Sequence, residues 1–286
     1  MGFKDVIKLL RPNQWYKNLV IFLAIFFSGF FLNGNLLLVS FFGFLILILI
    51  SSSNYIFNDL VDCERDKLNP EKKNRPIASG KVGKPFAVFL LIVLLFIGLF
   101  FAYELNFFFF LSCFGLFVIS FVYTIILKNI LFADLLAISS NFVLRAVSGV
   151  FLIGVVISPW LIIGTFFLSM FLVTGKRYGE SNFLKNAKSH RRVLEFYTKD
   201  LMQTLFSIFL AILILIFAFY SFSSKNNSLL ITMPFFIYLL LRYYYLILTN
   251  NRIARSPEKI IFDAPIMTAG IIFFVVNFIF MEVIKW

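Results

Sequence analysis

The chain has 286 residues, 61% of them hydrophobic, among them 42 Phe, with a mean hydropathy of +0.94. An ordinary soluble protein is only about 45–50% apolar, so a soluble globular domain is excluded and a polytopic, all-α membrane protein is expected. The net charge of +12 does not point to nucleic acid, because the charges fall in loops between apolar spans, as the positive-inside rule places them.

The start, MGFKDVIKLLRPNQW, is charged throughout, and no cleavable signal peptide is expected from it. A span needs about 20 mostly apolar residues. Leu19–Leu32 with its flanks supplies the first and Leu36–Phe57 the second, joined by a tight turn at Asn33-Gly34-Asn35. The third, Pro85–Tyr103, and the fourth, Phe107–Leu127, are separated by Glu104-Leu105-Asn106. Ala133–Val156 and Pro159–Thr174 are the fifth and sixth. Leu201–Phe222, Leu229–Leu248 and Pro265–Ile284 complete nine transmembrane helices. No soluble segment is left over, so residues 1–286 read as a single membrane domain. Cys63 falls in a loop and Cys113 in a span, a placement that favours neither a disulfide nor a thiolate metal site.

Nine spans put all but four of the 26 basic residues on one side, the exceptions being Arg145, Lys225, Arg242 and Lys285. That side is expected to be the cytoplasm, with the N-terminus inside and the C-terminus outside. Two inward loops, about 58–84 and about 175–200, are long and rich in charge. Long loops in a compact domain are usually functional or disordered, so the chemistry is expected there.

The first long loop opens on NDLVDCERD. Asp59, Asp62 and Asp66 stand at i, i+3 and i+7, one face of a helix. Three like charges on one face repel. A divalent cation turns that cost into binding, because Mg²⁺ sits well between a few carboxylates and a substrate's phosphates. A solvated acidic helix end is the other reading of the same spacing. Further on come Lys72 and Arg75, and the second loop opens Gly175-Lys176-Arg177-Tyr178-Gly179-Glu180. Cations beside acids suit phosphate oxygens, although positive-inside bias alone also supplies them.

Charge and amide groups inside spans are costly and mark functional positions. Arg145 lies well inside the fifth span, Asp134 near its start, and Arg242 in the eighth, where snorkelling to the interface is one outcome. Asn54 and Asn58 lead down one face into the acidic stretch. For Arg145 an ion pair or bonds to backbone carbonyls is the structural alternative. His190 stands alone in a charged loop and reads as solvated.

The acidic stretch, with NRPIASGKV after it, resembles the UbiA superfamily of intramembrane prenyltransferases. Asn58, Asp59, Asp62 and Asp66 match its NDxxDxxxD motif, and Arg75, Pro76, Ser79 and Gly80 match an RPxxSG element. The resemblance covers essentially the whole chain. It implies a helical bundle around a central cavity open to the cytoplasmic side, capped by the two long loops, in a plasma-membrane enzyme that uses Mg²⁺.

A narrower likeness is carried by RPNQWYKN (Arg11 to Asn18), by Tyr123 and Lys128, and by GKRYGE (Gly175 to Glu180). These resemble the decaprenyl-phosphate phosphoribosyltransferase branch. That branch implies transfer of 5-phosphoribose from phosphoribosyl pyrophosphate (PRPP) to a polyprenyl phosphate, with membrane lipids as surroundings, no nucleic acid, and homo-oligomerisation left open. Metal ligands would be Asp59, Asp62 and Asp66, with Lys176 and Arg177 as catalytic cations. Arg11, Lys17, Asn54, Asn58, Lys72, Arg75, Tyr123, Lys128, Asp134, Arg145, Tyr178 and Glu180 would bind substrate. Prenyl-transferring members carry a second aspartate-rich motif after the sixth span, where this chain has KRYGE. Prenyl transfer from a prenyl diphosphate to an aromatic or glycerol-phosphate acceptor remains the alternative. An anion transporter is disfavoured, since no internal repeat is evident.

Overall fold

The computed structural model describes residues 2–70, 72–183, 193, 196–223, 227–249 and 257–283. His190, Lys185, Lys188, Arg191, Arg192, Lys225, Arg252, Arg255 and Lys285 lie outside the described residues. Among those described, all regular structure is helical: α1 (Phe3–Leu10), a 3₁₀ segment (Pro12–Ile21), α2 (Phe22–Phe27), α3 (Gly34–Val61), α4 (Cys63–Leu68), α5 (Lys84–Leu105), α6 (Phe107–Ile125), α7 (Ala133–Ile153), α8 (Pro159–Phe183), α9 (Lys199–Ser223), α10 (Met233–Thr249) and α11 (Ala264–Phe278). Eight helical stretches among the described residues are long and apolar enough to cross a membrane. They coincide with the second to ninth expected spans.

The first expected span takes another form. Arg11 turns the chain with φ +53°, and Pro12, which has no N–H to leave unpaired, opens the 3₁₀ segment. At ~2.0 Å per residue such a segment advances a third faster than an α-helix. Its partners hold it in place. Trp15 Nε1 donates to Leu10 O and Ser52 Oγ, both at 3.2 Å. Asn18 is fully buried. The backbone of α7 presses directly on its end, since a Cβ added at Gly149 would lie 2.2 Å from Ile21 O.

Two further boundaries differ from expectation. GKRYGE does not open a loop, because α8 continues through it to Phe183. Gly175 serves packing there: a Cβ would meet Phe206 Cζ at 2.9 Å and Tyr243 Oη at 3.0 Å. The acidic stretch is not one continuous helix either. Asp62 closes α3 and opens α4 with φ −88° and ψ 3°, so the three acids do not lie along one uninterrupted helix.

Contacts divide the chain into two compact units. The first comprises Met1–Ile25, Asn33–Lys128 and Ser140–Ile157. Its core has two parts. One gathers Ile21, Ile46, Leu47, Ile50, Phe109, Cys113 and Leu116, and the other Leu9, Ile56, Cys63, Ile77, Val82 and Ala87. Helices in lipid gain little from burying apolar surface, so close fit between small and large side chains holds them. Gly98 of α5 illustrates this, because a Cβ there would come within 2.8 Å of Ile50 Cδ1.

The second unit comprises Phe26–Leu32, Asn129–Ser139 and Ser158–Trp286. Phe171, Phe206 and Tyr243 form its aromatic centre, with Leu135, Tyr178, Val193 and Tyr197 in the same cluster. Asp263 caps α11 by accepting from Ile266 N at 3.1 Å. It also pairs with Arg242 at 3.0 Å, so that cation reaches a helix-end carboxylate. Glu282 accepts from the backbone N–H of Phe31.

Candidate active site

In the first unit the polypeptide brings most of the motif residues together. The stretch after α4 is a run of tight turns. Lys72 and Lys73 N–H bond to Asn69 O, Arg75 N–H to Lys72 O, and Ser79 N–H to Arg75 O. Gly80 permits the φ of +75° that ends the run. Pro76, Ile77 and Ala78 are buried, and Ile77 packs with Leu9 and Ile56. Lys8 Nζ donates to Asn74 O at 3.1 Å and ties α1 to the same turns. The RPxxSG element is therefore a clamp whose apolar side fixes where Arg75 projects.

Arg75 Nη1 donates to Asp59 Oδ1 at 2.9 Å and to Asp66 Oδ2 at 2.6 Å. Arg11 Nη2 also donates to Asp59 Oδ1. Both acids are nearly sealed, at 2% and 3% exposure. The Arg11 guanidinium lies 5.2 Å over the Tyr55 ring. Asp62 turns elsewhere: Lys128 Nζ donates to its Oδ1 at 2.7 Å, and Arg65 stands at 3.7 Å. Lys128 itself is buried. Glu64 is exposed, and hydrogen bonds from Lys67 and then Lys84 hold its carboxyl below the ordinary value. Thr124 Oγ1 is 3.5 Å from Asn58 Oδ1. Tyr123, Lys17 and Lys72 are half-buried in the same unit.

Among the described residues no three His, Cys, Asp or Glu side chains gather closely enough to enclose a metal ion. Two do converge. Asp59 and Asp66 meet on a single guanidinium nitrogen, which occupies the point between them as a cation would. Mg²⁺ needs only one or two carboxylates when substrate phosphates and water complete its shell. The pair therefore fits such an ion, and Asp62 stands apart with Lys128.

Deeper along α3 is a polar group inside the span. Ser51 Oγ donates to Asn18 Oδ1 at 2.9 Å, and Arg145 Nε donates to the same oxygen at 3.0 Å. Arg145 Nη1 reaches Asn141 O at 3.0 Å. Asn54 lies one turn past Ser51 and is also buried. The backbone-carbonyl alternative for Arg145 is thus realised in part, together with a side-chain partner.

The second unit holds the remaining motif residues. Asp134 is fully buried. It accepts from Arg177 Nε at 2.7 Å and from Tyr197 Oη at 2.6 Å. Arg177 Nη1 donates to Glu180 Oε2 at 2.7 Å. Tyr197 Oη accepts from Phe132 N at 3.2 Å, where φ is +64°. Burial first, and then Asp134, pushes the Tyr197 phenol above its ordinary pKa. Tyr178 is part of the aromatic core, and Lys176 is half-buried beside it. Asp134, Arg177 and Glu180 are thus brought together, with the guanidinium held between two acids. Sequence reasoning missed Tyr197, Asn18 and Asn141. Asn141 was visible as an amide within an apolar span, and Asn18 as the last residue of RPNQWYKN. Tyr197 gave no such signal.

The model of the UbiA prenyltransferase family matches residues 18–262. This chain belongs to the UbiA prenyltransferase family. It is accordingly a multi-pass membrane enzyme of the transferase class. Decaprenyl-phosphate phosphoribosyltransferase of Corynebacterium glutamicum is 29% identical over 244 residues, covering 78% of this chain and 69% of that protein. The Mycolicibacterium smegmatis protein of the same name is 28% identical over 233 residues, covering 80% and 73%. A UbiA homologue from Archaeoglobus fulgidus, solved with GPP and Mg²⁺, superposes with a TM-score of 0.74. It is 19% identical, covers 96% of this chain and 98% of its own, and supports the UbiA fold.

Proposed function

We propose that this UbiA member transfers 5-phosphoribose from PRPP to a polyprenyl phosphate and releases pyrophosphate. The observation that carries the reading is the convergence of Asp59 and Asp66 on one cationic point, with Arg11 on the same carboxylate. Relatives named decaprenyl-phosphate phosphoribosyltransferase, matched over about four-fifths of the chain, support a phosphoribosyl donor and a polyprenyl phosphate acceptor.

Asp59 and Asp66 would hold Mg²⁺, which when bound neutralises charge on the departing pyrophosphate. Arg75 and Arg11 supply cationic donors where that charge develops. As the bond from ribose C1 to pyrophosphate oxygen breaks, C1 becomes oxocarbenium-like, and an oxygen of the polyprenyl phosphate forms the new bond. That oxygen is already anionic, so attack needs no strong base. Lys17 is the cation assigned to the lipid phosphate. The reaction is placed at the cytoplasmic face of the plasma membrane, with the N-terminus inside, because the basic segments crowd one side.

The test incubates membranes containing the protein with PRPP labelled in the ribose, polyprenyl phosphate and Mg²⁺. Label should pass into the organic phase, in a lipid whose mass has gained a phosphoribosyl group. Label that stays wholly in water, with a prenyl diphosphate donor active instead, would replace the reading with prenyl transfer.

A further inference from the structure

Arg145 is 7% exposed, and no carboxylate pairs with it among the described residues. Among the described residues its hydrogen bonds engage Nε and Nη1, and none engages Nη2. A charged side chain in a span is costly unless it is compensated. Among the described residues, three asparagines of the same unit carry unmet polar atoms. Asn18 Nδ2, Asn141 Oδ1 and both polar atoms of Asn54 are buried with no hydrogen-bond partner. These side chains are all more than nine-tenths buried. Most buried polar groups in native proteins are satisfied, so unmet amides beside a buried guanidinium need a physical account.

The unmet atoms describe a ligand. Arg145 Nη2 and Asn18 Nδ2 are donors and, with the buried charge, call for an anion. Asn141 Oδ1 is an acceptor, and Asn54 offers one acceptor and one donor whichever way its amide is turned. Acceptors call for hydroxyl groups. The place fits as well. Asn54 precedes Asp59 by five residues on α3, about 7.5 Å along the axis at 1.5 Å per residue. Tyr55 lies between these levels, under Arg11 and within electrostatic reach of Arg145.

We infer that Arg145, Asn18, Asn54 and Asn141 form a subsite for the phosphorylated, hydroxyl-bearing end of the donor, the part that is transferred rather than the part that leaves. The inference rests on the phosphoribosyl reading and deepens it. A phosphate monoester could come with the sugar or with the polyprenyl phosphate. The unmet acceptors favour the sugar, because a polyprenyl phosphate carries no hydroxyl. The subsite also selects donor class, since a prenyl diphosphate would set a hydrocarbon chain against a desolvated cation.

The test measures KM for PRPP and for polyprenyl phosphate separately in wild type, Arg145→Met and Asn54→Ala. Competition by ribose 5-phosphate and thermal unfolding are followed alongside. Asn54→Ala removes an amide that makes no protein hydrogen bond, so it should unfold no earlier than wild type. Both variants should raise the KM for PRPP about 10- to 100-fold, the value of one to two hydrogen bonds to a charged group. The KM for polyprenyl phosphate should stay unchanged, and ribose 5-phosphate should stop competing in Arg145→Met. A change in the lipid's KM instead would overturn the assignment to the sugar. Unchanged PRPP kinetics and competition in both variants would mean that the site holds only water. If wild type transfers nothing from PRPP, the phosphoribosyl reading fails on its own. Thermal protection by ribose 5-phosphate then decides the subsite: protection of wild type but not of Arg145→Met keeps it, and no protection of wild type removes it.

Discussion

Replacing Arg75 by Met tests the clamp on the acid pair most sharply. Among the described residues, Arg75 Nη1 is the one atom bonded to both Asp59 and Asp66. Asp59 retains Arg11 after the change, but no other ion pair to Asp66 is present among the described residues. Breaking a buried pair by removing one partner costs about 3–5 kcal/mol, because the remaining charge stays buried. Arg75 keeps 23% side-chain exposure, so the lower end of that range, about 3 kcal/mol, applies. For a chain of this size that lowers the unfolding temperature by about 6–12 °C. Mg²⁺ should reverse part of the loss, since the ion can now enter between the two carboxylates. At 100 times its dissociation constant it would restore about 2.7 kcal/mol. The assay is thermal unfolding in detergent across a Mg²⁺ titration, with wild type alongside. A variant that unfolds with wild type, or gains no more from Mg²⁺ than wild type does, would refute the reasoning.

Other predictions follow from the same geometry. Asp59→Asn should lower the turnover of phosphoribosyl transfer by about 10²–10³, the scale of losing one preorganised charge at a reacting group. Asp62→Asn should lose less than Asp59→Asn in the same assay, because Asp62 is paired with Lys128. Gly149→Ala should destabilise by about 1–3 kcal/mol or more, read as a lower unfolding temperature, since its Cβ would meet Ile21 O at 2.2 Å. Gly115→Ala, whose nearest neighbour would lie at an ordinary 3.5 Å, should be close to neutral. The raised Tyr197 pKa means the phenol stays protonated, and bonded to Asp134, above the pH where a free tyrosine ionises. Its stabilisation is therefore complete below about pH 10, the unfolded value, and is lost as pH rises through the folded value. Tyr197→Phe should remove this high-pH component from a stability profile measured by thermal unfolding.

The apolar spans were legible because lipid demands about 20 apolar residues per helix, and α3 and α5 to α11 follow that demand closely. The 3₁₀ segment that leads into the first span was not legible. Its form depends on Gly149 and Asn18 meeting partners distant in sequence, which hydropathy cannot register. The acid motif was legible as a cluster, but its division was not. The break at Asp62 sends that residue to Lys128, and only the folded turns after α4 carry Arg75 to the other two. GKRYGE read as a loop because of its glycines and charges. Gly175 instead admits Phe206 and Tyr243 into a continuing helix, and Arg177 finds its partner in Asp134, 43 residues earlier.

Pyrophosphate binding measured by calorimetry, with and without Mg²⁺, examines the acid pair apart from any donor or acceptor. Wild type should bind pyrophosphate tightly only when Mg²⁺ is present, and Asp59→Asn/Asp66→Asn should lose that metal-dependent binding. Equal metal-dependent binding by the double variant and wild type would contradict the assignment of these two carboxylates to the leaving group's metal.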